Sequence, residues 1–568
     1  MTEYFEHITD VLVIGGGGAG ARAALEAAKN GAMVTLIDKG VFGTSGSTAY
    51  GIVETAGLSA SDGQVDEFDT PEEHYKDILE AAQGTCSPTL ARIVAEEAPQ
   101  VIKDLEEIGV NIERDSKGKY IEVRGCFASK PRMHIIKNHA IPIIRALAKG
   151  LEKAQVKILN KTTAIDLIVY KSCCYGALCI NDEGELILIK AKAVILTTGG
   201  AGQLFKYNQN PTEITGDGYG LGWRAGAKLV NMEFMQAGVG IIHPTKIFLS
   251  AWMWEGKPVL YNDKGINFLT KYIPEGITEE SCILEKSRHF PFSSRDMSRY
   301  IEISIQNELK KNPQSKVFLD LTKSQEYINN LPKKSDFHKM WDVTKKWMLD
   351  CGLDITANAA QVACFGHAIN GGLLIDGNGE TSIKNLFAAG ETAGGPHGAD
   401  RLGGNMLVTC QIFGKRAGIK AANNAREKTL LDINKIFKSR INEIMNQVPK
   451  INKLDKDTVN RMKINLQDLF WQNFLVTKDA NSLKSCIEGL NKIKEEFTKS
   501  DLGLNRESLE LRNLIDTSNI MSSVALMRDE SRGSHYREDS PLTKAQWSES
   551  ITIWNKYGKS QFAREKLV

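Results

Sequence analysis

The chain opens on DVLVIG (10–15), then GGGGAGARAALEAAKNGA, then MVTLIDKG (33–40): a short β-branched run, a glycine turn into an alanine-rich helical stretch, and a second short apolar run. Few folds begin this way. Gly15, Gly17 and Gly20 form G-x-G-x-x-G, and Asp38 stands 18 residues after Gly20, at the end of the second strand. Such glycines let the turn close and let backbone approach a pyrophosphate. The helix N-terminus offers N–H donors, and the acid can receive a ribose hydroxyl. The segment predicts a strand–helix–strand start and a dinucleotide site. By itself it does not choose between FAD and NAD.

With 568 residues, 42% hydrophobic and 25% charged, the chain can bury a large core in several domains. A formal net charge of +2 argues against nucleic acid as the main partner. No run of about 18 apolar residues appears, and the start MTEYFEHITD lacks the basic flank and apolar centre of a secretory signal. A cytoplasmic protein without a membrane span is expected, peripheral to a membrane only through a partner. The ten cysteines contain no C-x-x-C pair, and no Cys/His cluster has zinc or iron–sulfur spacing, so no metal site is expected.

Helical spacing covers about 72–112 and 139–154, and a β-rich stretch ends at AKAVILTTGGAGQLF (191–205). TGDGYGLGWRAGAKL (215–229) is again a glycine turn into a helix, and between 231 and 355 aromatics, prolines and short mixed elements take over. Short strands return in GGLLIDGNGETSIKNLFAAGE (371–391), and a helix follows from 405 to 424. Lys/Asn/Glu-rich helices with mixed charge signs fill 430–515. The expected fold class is α/β: a two-part Rossmann-like nucleotide-binding domain (1–230 and 356–425), an inserted α+β capping domain (231–355), and a helical domain with a charged tail (426–568).

Eight segments in order resemble the flavoproteins of succinate dehydrogenase and fumarate reductase, with L-aspartate oxidase and adenylylsulfate reductase as relatives. They are VIGGGGAGARAALEA, ILTTGGAGQLF, TGDGYGLGWRAGA, MEF, SSRDMSRYI, HAINGGLLID, NLFAAGETAGGPHGADRLGGN and RDESRGSHYREDSP. The resemblance implies FAD as cofactor. Gly15, Gly17, Gly20 and Asp38 then contact its pyrophosphate and ribose, and Ala389, Gly390 and Glu391 are later contacts. Lys39, Ser45, Ser47, Thr48, Gly199, Gly200, Asp217, Asn405 and Leu407 complete the implied cofactor set. Arg295 matches an arginine that delivers a proton to substrate carbon. His367 matches a histidine that holds a substrate carboxylate, and Arg401 matches the arginine that clamps a dicarboxylate. Guanidinium groups suit this task because they meet carboxylates bidentately and stabilise an enolate-like charge. The helix starting near Asn405 can aim its dipole at the flavin pyrimidine edge.

Four departures qualify the resemblance. Where the family carries a histidine that attaches FAD covalently, SGSTAYG (45–51) has Ser47, so non-covalent FAD is expected. The family follows MEF with a Q-x-H-P-T segment that binds substrate; here His243-Pro244-Thr245 comes several residues late, and His243 is the candidate ligand. SAWMWEGKPV (250–259) adds Trp252 and Trp254 to one wall of the pocket. Asp400 replaces the asparagine of GANRLGGN and, beside Arg401, stands to neutralise or buttress it.

The expected function is hydride transfer between flavin and a fumarate/succinate-type dicarboxylate. A separate iron–sulfur protein is the expected electron partner, because the chain carries no cluster motif of its own. The rivals are an L-aspartate oxidase, an adenylylsulfate reductase-like protein, and, in another class, a non-catalytic or RNA-modifying flavoprotein scaffold.

Overall fold

The computed structural model describes residues 4–50, 56–312, 314–332, 336–427, 434–448 and 455–568. Residues 428–433 and 449–454, part of the expected charged helices, and Gly51 of SGSTAYG lie outside this range.

The opening segment folds as its pattern requires. Strand β1 (Phe5–Ile14) leads through the glycine turn into α1 (Gly18–Lys29) and on to β2 (Val34–Ile37). Val11, Leu12 and Val13 are fully buried, as befits a strand covered on both faces. β1 pairs in parallel with β2 on one side and with β3 (Leu186–Leu196) on the other. Lys157–Leu159 continues the sheet beyond β2, and the hairpin Thr162–Tyr170/Cys173–Asn181 continues it beyond β3. Leu386–Ala388 adds a parallel strand against the end of β3. The carboxyl ends of β1, β3 and Leu386–Ala388 therefore lie side by side, where ligands of open parallel sheets bind. Gly15, Thr197 and Ala389 follow directly from these ends.

A second sheet forms the cap: Ile247–Phe248, β4 (Met235–His243), β5 (Ala360–Ile369), Val317–Asp320 and Val259–Asn262, in that order. β4 and β5 pair antiparallel from Met235↔Ile369 to His243↔Gln361. This corrects the expected boundary at 355. Residues 360–369 belong with the cap, because pairing with β4 along nearly its whole length satisfies their backbone.

The C-terminal region is helical and its tail ends in a hairpin. α2 (Asp217–Ala225) precedes the cap, and α3 (Asn405–Glu427) returns the chain to the main sheet. Helices Lys456–Asn473, Ala480–Lys499 and α4 (Arg506–Met527) follow. Then a hairpin, Ser550–Lys556/Lys559–Glu565, joins a third sheet by pairing with Leu229–Val230. The tail thus closes back onto the nucleotide-binding domain.

Candidate active site

A cleft of about 390 Å³ runs from the ends of the parallel strands to the cap. Part of its wall is the glycine turn. Gly15, with φ +103°, takes a backbone conformation that side chains avoid, and a Cβ on Gly20 would lie 1.9 Å from the Gly15 carbonyl oxygen. Gly20 itself does not line the cleft; it lets α1 sit directly on the turn. Gly17 and Asp38 do line it. The Asp38 carboxylate accepts from Gly16 N (3.1 Å), Gly40 N (2.7 Å) and Ser45 Oγ (2.8 Å), which fixes it at the strand end. Thr48 Oγ1 accepts from Gly18 N at 3.1 Å. Ser45, Ser47, Thr48, Gly199, Ala389, Gly390, Glu391 and Leu407 are all on the cleft wall.

Lys39 and Asp217 also line the cleft, but they face each other. Lys39 Nζ lies 2.7 Å from Asp217 Oδ2 and 2.9 Å from Glu510 Oε1 of α4. Gly200 is off the wall, and its bare Cα makes room for the Glu391 carboxyl, which would lie 2.2 Å from a Cβ there. Glu391 Oε1 accepts from Ile369 N at 3.0 Å, and burial pushes the acid up to about 7. Asn405 is buried behind the wall, 3.0 Å from His74 Nε2; the next residues of α3, Met406 and Leu407, reach the cleft.

At the inner end stands Arg401, buried and on the cleft wall. Its Nε donates to Gln236 Oε1 at 3.1 Å and its Nη1 to the Leu402 carbonyl at 3.0 Å. Both acceptors are neutral, and among the described residues no carboxylate lies within salt-bridge distance. Burial holds its pKa below the ordinary value. His367 is kept neutral, with a pKa of about 3, by burial and by the Arg401 charge. Its Nδ1 is buried without a hydrogen bond. Phe248 and Phe290 meet the imidazole edge-on at 4.9 and 5.3 Å. Cys126 lines the same end, its Sγ accepting from Phe290 N at 3.1 Å.

Two of the four expected catalytic residues stand elsewhere. His243 ends β4, exposed and off the cleft wall. It is seven residues beyond Gln236, roughly 23 Å along an extended strand, so the motif is present in letters and out of reach in space. Arg295 is also off the wall. Its guanidinium lies over the Phe127 ring at 5.2 Å and pairs with Glu80 at 3.4 Å. Trp252 lines the cleft, whereas Trp254 is buried in the core.

Asp400 turns away from Arg401. Its Oδ2 accepts from Ser293 Oγ at 2.7 Å, its Oδ1 is buried without a partner, and burial raises its pKa to about 6. The charged tail does not line the cleft. Arg528 Nε donates to Glu233 Oε1 at 2.6 Å with both side chains fully buried, and Arg532 pairs with Glu530. Ser534 Oγ donates to the Ala399 carbonyl and Ser294 N to the Gly533 carbonyl. The tail therefore braces both the Arg401 segment and the Arg295 segment. Sequence reasoning missed Gln236 and Phe290; the glutamine of Q-x-H-P-T was the one available signal for the first.

Comparison with known proteins agrees with this geometry. The family model "FAD binding domain" matches residues 10–407, and "Fumarate reductase flavoprotein C-term" matches 463–567. The chain is 31% identical over 578 residues to one of the subunits of the fumarate reductase (CoM/CoB) of Methanothermobacter marburgensis, covering 97% of this chain and 98% of that one. It is 28% identical to an L-aspartate oxidase of Synechocystis, over 96% of each chain. Among solved structures, Sdh1 of Mycobacterium smegmatis in complex with UQ1 superposes with a TM-score of 0.82 at 26% identity, over 99% of this chain and 95% of that one. A glycine cradle at the ends of parallel strands, a buried arginine under a cap and these matches along the chain have one reading: the protein belongs to the FAD-dependent oxidoreductase family of the succinate dehydrogenase and fumarate reductase flavoproteins.

Proposed function

We propose that the protein catalyses two-electron reduction of a carbon–carbon double bond conjugated to a carboxylate, or the reverse oxidation, as the fumarate-type relatives' names suggest. The observation that carries this reading is the Arg401 guanidinium: buried, on the cleft wall, and bonded only to neutral groups. A buried guanidinium without a carboxylate in direct contact is expensive, and a substrate carboxylate supplies that partner. Such a carboxylate, held bidentately, polarises the conjugated alkene and receives negative charge as the reaction proceeds. His367, neutral and with a free buried Nδ1, adds a hydrogen-bonding position beside Arg401. FAD, when bound, would supply hydride-level redox chemistry. Gly15, Gly17, Asp38 and Glu391, which line the cleft, would hold it, and Ser47 offers no histidine for a covalent link.

Electrons are exchanged with a separate iron–sulfur protein; the methanogen relative, named as one member of a multi-subunit enzyme, supports this part. The test is anaerobic. Chemically reduced, FAD-loaded protein is mixed with unsaturated carboxylates, fumarate among them, or with L-aspartate after reoxidation. Reoxidation by an unsaturated carboxylate is expected. Bleaching of the oxidised protein by L-aspartate, with no response to any unsaturated acid, would replace this reading by that of an amino-acid oxidase.

A further inference from the structure

The position at which the resemblance expects the histidine of Q-x-H-P-T carries no side chain. Counting on from MEF without a gap, Gln236 takes the glutamine of Q-x-H-P-T, and the histidine position falls on Gly238. β4 supports that count: Gln236 reaches Arg401, and Gly238 is buried opposite Phe365 of β5. A Cβ on Gly238 would lie 2.6 Å from Cε2 and Cζ of Phe290, so the ring covers the bare Cα. Phe290 lines the cleft and packs edge-on against Phe248 at 5.1 Å and His367 at 5.3 Å. Phe248 and Trp252 extend the same wall. Two further cationic side chains, besides Arg401, line the cleft among the described residues. Lys39 is paired with Asp217 and Glu510, and Arg124 is solvent-exposed, where a guanidinium binds an anion weakly.

Resting on the reading that Arg401 holds the carboxylate of an unsaturated acid, we propose that the substrate carries a flat apolar ring at the far end of its double bond, in place of a second carboxylate. The substrate class is a 3-arylacrylate and the product a 3-arylpropanoate. An ionised carboxylate placed against Phe248 and Phe290 would lose its hydration for at most a hydrogen bond from the neutral His367, with no cation in exchange. An aromatic ring there meets the edge-to-face partners that phenyl rings prefer. In the reduction, the carbon–carbon π bond would break as a hydride adds to the carbon bearing the ring and a proton drawn from water adds to the carbon next to the carboxylate. The two electrons come from the reduced cofactor of the family's established chemistry.

The test is equilibrium binding to the FAD-loaded protein, read by calorimetry and by the shift of the bound flavin's absorption spectrum, with trans-cinnamate, crotonate and fumarate as probes. Cinnamate is expected to bind at least tenfold more tightly than fumarate in the unaltered protein, with crotonate between them. In the double variant Gly238→His/Phe290→Ala the preference should fall by at least tenfold, towards fumarate. Fumarate binding as tightly as cinnamate to the unaltered protein would overturn the aryl proposal and leave the unsaturated-acid reading standing. Binding of none of the three acids would overturn both.

Discussion

Gln236 and Arg401 hold each other at two points. The guanidinium Nε donates to Gln236 Oε1 at 3.1 Å, and Gln236 Nε2 donates back to the Arg401 carbonyl at 3.3 Å. One residue is on the cap sheet and the other on the turn before α3, so this pair fixes the guanidinium across the seam between cap and nucleotide-binding domain.

Gln236→Leu removes one hydrogen bond to a charged group and leaves the guanidinium loosely oriented. Such bonds are worth about 1.5–3 kcal/mol. Steady-state kinetics should show a KM for the carboxylate substrate roughly ten- to hundredfold higher, with FAD content unchanged. An unaltered KM would mean that Arg401 is positioned without Gln236.

Arg401 and Arg295 should separate cleanly by substitution. Arg401→Ala is expected to abolish substrate-induced shifts of the flavin spectrum while FAD stays bound. Arg295, off the wall and paired with Glu80, should leave both that shift and turnover within about twofold when replaced by Ala. A loss of turnover by roughly 10²–10⁴, the usual contribution of a proton donor, would instead place Arg295 in the reaction.

Asp400 makes stability depend on pH. Its folded pKa of about 6 lies above the ordinary 3.8, so the native state binds this proton more tightly than the unfolded chain. Stability contributed by the bound proton is present below the ordinary value and is lost as pH rises towards about 6. Asp400→Asn has no proton to lose. Urea unfolding should show no gain over the unaltered protein near pH 4 and a gain of up to about 3 kcal/mol above pH 6, from roughly two pKa units at 1.36 kcal/mol each. An equal gain at both pH values would point to packing instead.

Gly20→Ala drives a methyl group into the Gly15 carbonyl, 1.9 Å away. The turn cannot keep its shape, so purified protein should carry little flavin, as judged by the ratio of absorbance near 450 nm to that of protein. Full flavin occupancy would show that α1 can shift to accommodate the methyl group.

Ser47, which the sequence resemblance sets against the family's flavin-linked histidine, lies on the cleft wall. Acid precipitation of the yellow protein should leave all flavin in the supernatant. Flavin retained in the pellet would identify another attachment residue.

Much of the fold could be read from local chemistry. The run DVLVIG, the spacing of Gly15, Gly17 and Gly20, and the alanine-rich stretch that follows each state their backbone conformation without help from distant residues. Arg401 stood out for the same reason: a permanent charge framed by glycines has few structural uses. The boundary of the cap was less legible, because Ala360–Ile369 reads as an ordinary short strand until its partner, Met235–His243, is known.

The sequence by itself determined the nucleotide cradle, the family and the arginine at its centre, since these depend on residue type at short spacing. Tertiary structure alone decided which residues stand beside Arg401. Gln236 and Arg401 are 165 positions apart in sequence. Strand register brings Gln236 inward and carries His243 out into solvent, and the pairing of Asp400 with Ser293 turns that carboxylate away from the arginine beside it. Phe290 over Gly238 shows why: a glycine leaves no mark of what will fill the space above it, and that is settled only when distant segments pack.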